Sequence, residues 1–137
     1  MEYQKDDETR KAEPTKAELE ILQVLWQHGP STVRFVNDRL SEQRDIAYTS
    51  TLKLMQIMTD KGILKRDESQ MKHIYHVVEA KEKTQHHLLD RFVDSVYQGS
   101  SSKLVMQLLG NKKATKEELD SIRKMLDDME KNNNLKL

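Results

Sequence analysis

Apolar residues recur at spacings of three and four along most of this 137-residue chain, and one stretch breaks that rhythm. Leu19, Leu22, Leu25 and Trp26 share one face of a first helix expected over Lys16 to His28. Thr15 stands at its N-cap with Glu18 three residues on, the reciprocal pattern of a capping box, and Gly29-Pro30 stops it. Val33, Val36 and Leu40 stripe a second helix that starts at Thr32 or Val33, with Ser31 or Thr32 as cap, and runs to Glu42. The charged turn Gln43-Arg44-Asp45 follows. Thr51, Leu54, Met55 and Met58 then mark the buried side of a third helix, Tyr48 to Lys61, ended by Gly62.

The rhythm changes after Gly62. Ile63-Leu64-Lys65-Arg66 and Lys72-His73-Ile74-Tyr75-His76-Val77-Val78 flank a polar turn around Glu68-Ser69-Gln70. Branched and aromatic residues around such a turn predict a β-hairpin. Helical spacing resumes past Ala80. Leu88, Leu89, Phe92, Val93, Val96 and Tyr97 line a helix ending at Gly99, and Leu104, Val105, Leu108 and Leu109 a short helix ending at Gly110. Thr115 with Glu118 forms a second capping-box pattern ahead of Leu119, Ile122, Leu126 and Met129. Each of the four glycines is expected to close a helix in a left-handed conformation.

Helix, helix, helix and hairpin within about 65 residues is the order of a winged helix-turn-helix. The expected fold is mainly α: an N-terminal winged helix-turn-helix of three helices and a β-hairpin wing, followed by a C-terminal three-helix dimerisation region. The boundaries are a flexible leader over 1–13, the winged helix over 14–79, the helical region over 80–131 and a frayed tail over 132–137. In such a fold the third helix enters the major groove. Its exposed face is expected to carry Tyr48, Thr49, Ser50, Lys53 and Gln56. Hydroxyls at the helix start suit phosphate, Gln56 suits adenine, and Lys53 suits guanine or phosphate. Thr32, at the start of the second helix, and Arg66 and Lys72 on the wing complete the expected contacts.

Charge tempers this picture. Lys and Arg number 23 and so do Asp and Glu, so the chain is neutral overall. Residues 1–80 carry 12 basic and 14 acidic side chains, a net of −2. Residues 81–137 carry 11 against 9, a net of +2, and between Lys53 and Lys72 basic residues prevail by five against three. A DNA role must therefore rest on local placement, and a winged helix that binds protein instead is the alternative reading. The chain has no cysteine, which excludes disulfides and thiolate metal sites and favours a cytoplasmic setting. No apolar run is long enough to span a bilayer, so no membrane insertion is expected. His86 and His87 are adjacent, and His73 and His76 fall on opposite faces of a strand; neither pair has chelating spacing. No metal, cofactor or catalytic grouping is expected, and Met55, Met58, Met106, Met125 and Met129 are read as fillers of a helical core.

Ala17-Glu18, Trp26, Ala47-Tyr48-Thr49, Lys61-Gly62 and Tyr75, with the stretch Gly99 to Leu109, together resemble the penicillinase repressor family of bacterial regulators. The resemblance spans nearly all of the chain after Pro14. It implies a repressor that binds a palindromic operator as a homodimer and controls antibiotic-resistance or cell-envelope-stress genes. It further implies a membrane sensor-protease as upstream partner and cleavage within the C-terminal region. The chain departs from the family at three places. Gln70-Met71 replaces the usual Gly-Arg of the wing tip, Ile57 stands where an Arg is common, and Gln107-Leu108 occupies the usual Asn-Phe cleavage position. Copper-responsive relatives carry a cysteine cluster that this chain lacks. The apolar stripes of the C-terminal helices exceed what three short helices bury among themselves, so dimerisation is assigned to Leu88, Leu89, Phe92, Val96, Leu104, Leu108, Leu119, Ile122 and Leu126.

Overall fold

The structure, a computed structural model, describes residues 13–111 and 114–135. Six helices and one hairpin follow in order: α1 (Lys16–His28), α2 (Val33–Leu40), α3 (Tyr48–Asp60), β1 (Leu64–Asp67), β2 (Ile74–Val77), α4 (Lys81–Tyr97), α5 (Ser101–Gly110) and α6 (Lys116–Leu135). The chain divides into two compact units, one up to Leu88 and one from Leu89. The expected fold class is the observed one: three helices, an antiparallel wing, then three more helices.

In the N-terminal unit the side chains of α1 at 18, 21, 22 and 25 point inward. Ile21, Leu22 and Leu25 are 3% exposed or less and meet Val33, Val36, Met55, Met58, Leu64 and Tyr75 in one core. Each such burial contributes about 1.5–3 kcal/mol. Leu19 and Trp26, expected on the apolar face of α1, pack at the core's edge, while Ile21, not among the residues expected there, is fully enclosed. The capping box at Thr15 is present in both directions: the Glu18 N–H donates to Thr15 Oγ1 at 3.2 Å and the Thr15 N–H to Glu18 Oε1 at 3.0 Å. Helix α2 stops at Leu40, two residues short of expectation, and a hydrogen-bonded turn carries the chain on. Helix α3 ends in a Schellman motif. Gly62 takes φ +81°, its N–H bonds to the Thr59 carbonyl, and the Ile63 N–H bonds to that of Met58.

The wing pairs Leu64 with Val77, Lys65 with His76, Arg66 with Tyr75 and Asp67 with Ile74. Alternation puts Leu64, Arg66, Tyr75 and Val77 on the inner face. The Tyr75 side chain is 1% exposed, and its backbone exchanges hydrogen bonds with Ser31 at 2.9 and 3.2 Å. One residue thus anchors the wing to the core and to the start of α2.

The C-terminal unit is built differently. Val93 is its one buried hydrophobic among the described residues. Helix α6 runs on to Leu135, past the residue 131 expected, and residues 136 and 137 lie outside the described residues, as does the leader up to residue 12. Gly110 does not close α5 in a left-handed conformation. It is the helix's last residue, and Asn111 caps it in right-handed geometry. Met106, Met125 and Met129, expected as core fillers, are 72%, 64% and 55% exposed, whereas Met55 and Met58 are fully buried. Helical spacing identifies an apolar stripe but not what covers it.

Candidate nucleic-acid interface

Helix α3 has one side locked and one side free. Thr51, Met55 and Met58 are at most 2% exposed. The opposite side presents Thr49, Ser50, Lys53 and Gln56 to solvent, as the spacing predicted, and Tyr48 is 37% exposed at its start. Two hydrogen bonds fix the orientation of that start. The buried Asn37 amide of α2 donates to Thr51 Oγ1 at 2.9 Å and to the Ile46 carbonyl at 3.0 Å. This clasp joins α2, the turn and α3 across the helix-turn-helix, and nothing in the periodicity distinguishes Asn37 from a solvent-facing asparagine.

The N-terminus of α3 is open. Its N-cap is Ala47, which has no side-chain acceptor, so the first N–H groups have no capping side chain. Thr49 and Ser50, residues that often act as caps, are left as free exposed hydroxyls. Exposed hydroxyls, uncapped N–H groups and the helix dipole together suit a phosphate oxygen. Thr32 has the other role: it caps α2, accepting the Phe35 N–H at 3.1 Å, and is half-buried.

Arg34 belongs to this site and was absent from the sequence expectation. Its guanidinium lies 4.3 Å from the centroid of the Tyr48 ring, a stacking contact that holds the cation beside the α3 start. The same groove is lined by Thr32, Arg34, Tyr48, Met71, Lys72 and His73. The available signal was a basic residue within the first turn after the Thr32 cap, but only packing of α2 on α3 brings it to Tyr48.

The two wing cations expected to contact DNA differ. Lys72 is exposed and has no ion pair among the described residues. Arg66 is on the inner wing face, where Tyr75 and an ion pair with Glu68 hold its guanidinium and raise its pKa above the ordinary arginine value. Its charge is partly spent within the wing. Behind the site, Glu18 is 1% exposed and accepts Lys61 Nζ at 2.8 Å, tying α1 to the end of α3. Burial pushes the Glu18 carboxyl upward, but hydrogen bonds from Lys61 and Thr15 outweigh it and hold the pKa below the usual value. Glu18 and Lys61 are therefore structural partners 43 residues apart in sequence.

The residues assigned to dimerisation lie on α4, α5 and α6. Leu89, Phe92, Val96, Leu108 and Leu126 are 46–58% exposed, Leu119 is 37% exposed, and Leu88, Leu104 and Ile122 are half-buried. Gln107 and Leu108 sit within α5, where the Tyr97 hydroxyl donates to Gln107 Oε1 at 2.9 Å.

A family model described as penicillinase repressor matches residues 14–128, across both units. No curated protein matches the chain.

Proposed function

The chain belongs to the penicillinase repressor family, whose members are DNA-binding transcriptional repressors, and from this we infer that it binds a palindromic operator as a homodimer. The observation that carries this reading is the outward face of α3. Thr49, Ser50, Lys53 and Gln56 are free of internal duties, on a helix whose other face is locked by Thr51, Met55 and Met58. With α3 in the major groove, Lys53 and Gln56 read base edges. Arg34, Lys72 and the hydroxyls of Thr49 and Ser50 hold flanking phosphates, with Tyr48 as the platform for Arg34. Thr32 positions Arg34 by capping α2, and Arg66 contributes less than Lys72 because its ion pair with Glu68 offsets part of its charge.

Dimerisation is supported by how little of the C-terminal unit is covered: among its described residues Val93 is the one buried hydrophobic. Phe92, Val96, Leu108 and Leu126 stay in water in a single chain, and pairing two such surfaces about a two-fold axis removes them from it. A dimer also doubles the phosphate contacts of a neutral protein and sets two α3 helices about one DNA turn, or a multiple, apart. The regulated genes belong to antibiotic resistance or envelope stress, with a membrane sensor-protease upstream. A cut at Gln107-Leu108 requires local unwinding of α5, since proteases act on opened chain.

Binding to genomic fragments at low salt tests the reading. Lys53→Ala and Gln56→Ala each weaken operator binding by about 1–3 kcal/mol while the dimer persists. Absence of binding at low salt refutes the repressor assignment and favours a winged helix that docks on protein, the reading that the neutral charge also suits.

A further inference from the structure

The outward face of α3 contains one residue that neither the core nor phosphate chemistry explains. Ile57 is 37% exposed. It is not among the side chains that pack against the core, although its neighbours Leu52 and Leu54 are. It follows Lys53 by four residues and Gln56 by one, so Gln56 and Ile57 flank the Lys53 position on the same outward surface. One turn further on, Asp60 is exposed and repels phosphate, which ends the usable stretch of the helix.

A branched aliphatic side chain has one good partner among the groups of the major groove. Of the four bases, thymine alone presents a methyl group there, at C5. We propose that Ile57 is a specificity-determining residue that packs against a thymine methyl in each half-site, beside the bases reached by Lys53 and Gln56. Gln56, with its amide suited to adenine, and Ile57, suited to thymine, give the inner part of α3 a preference for A·T pairs. This rests on the operator-binding reading and extends it to base identity. It also assigns a cause to the Ile at this position: a cation there would hold phosphate or guanine, and Ile exchanges that grip for recognition of a methyl group.

The test removes only the methyl. A bound duplex is narrowed to its two half-sites, and each thymine in turn is replaced by deoxyuridine, which pairs identically. At one thymine per half-site the wild-type protein loses about fourfold in affinity, since burying a methyl-sized group is worth roughly 0.8 kcal/mol and 1.4 kcal/mol is tenfold. Substitution in both half-sites costs about fifteenfold on the same scale. Ile57→Ala binds the thymine and uracil duplexes equally at that position, with an unchanged melting temperature. The proposal is overturned if no thymine is sensitive, or if Ile57→Ala keeps the sensitivity. Binding without discrimination refutes this inference alone; no binding to any duplex at low salt refutes it together with the operator reading.

Discussion

Replacing Lys61 by Met strands a carboxylate. Glu18 is 1% exposed, and its Oε1 accepts both Lys61 Nζ at 2.8 Å and the Thr15 N–H at 3.0 Å, while Oε2 has no partner. Removing one partner of a fully buried pair costs about 3–5 kcal/mol. The Lys61 side chain is 31% exposed, so water can enter and the expected cost falls to roughly 2–3 kcal/mol. Glu18→Gln is milder, at about 1–2 kcal/mol, because the amide oxygen still accepts from Thr15 and Lys61 can turn to solvent. The double variant should match Glu18→Gln within about 0.5 kcal/mol, as no charge is then left buried. Urea unfolding of all four proteins at constant protein concentration measures these differences. The pH dependence gives an independent check. The folded pKa of Glu18 is depressed, so its stabilisation is full above the unfolded pKa and lost as pH falls through the lower folded value. Glu18→Gln should show a shallower loss of stability on the acid side. A Lys61→Met protein no less stable than Glu18→Gln, or an unchanged acid limb, would show that Lys61 does not hold Glu18 ionised in the core.

Four further outcomes are expected. Asn37→Ala leaves Thr51 Oγ1 without its donor and the Ile46 carbonyl with only the longer bond from Ser41 Oγ at 3.4 Å, and should cost about 1–3 kcal/mol in urea unfolding; a smaller loss would show that the clasp does not hold α3. Gly62→Ala should destabilise by about 1–2 kcal/mol, since its φ of +81° is strained for any side chain, whereas Gly110→Ala, in a helical turn with open space around it, should be neutral or slightly stabilising. Arg34→Ala should weaken binding evenly across sequences and lower the salt slope by about 0.9 per protomer; a sequence-dependent loss would mean that Arg34 reads bases. Leu126→Lys, at a position 54% exposed in the single chain, should shift sedimentation from dimer to monomer, because an unpaired charge is costly in an apolar interface; an unchanged mass would remove Leu126 from the interface.

Local rules were enough for much of this molecule. The limits of α1, the start of α3 at Tyr48 and the hairpin follow from caps, breakers and the period of apolar residues, all of which act within a few residues of the chain. The exposed set Thr49, Ser50, Lys53 and Gln56 follows from the 3.6-residue turn once Thr51, Met55 and Met58 are assigned inward. The family resemblance on Ala17-Glu18, Lys61-Gly62 and Tyr75 is likewise visible in the chain, and the family match agrees with it.

What those residues do was decided by tertiary packing. Glu18 reads as half of a local capping box, yet it also binds Lys61, 43 residues away at the end of α3. Tyr75 reads as a strand residue, yet it fills the centre of the core and bridges to Ser31. Arg34 reads as a solvated cation until α2 lies across α3 and places it on Tyr48. Arg66 reads as a free anchor until the hairpin register sets it against Tyr75 with Glu68 alongside. The physical reason is common to all four. Periodicity and caps report the energy of neighbours in sequence, whereas the partner of a charge or a ring is set by which distant surfaces the core brings together. On α3, then, the sequence determined which face is turned outward, and the fold decided which cations stand beside it.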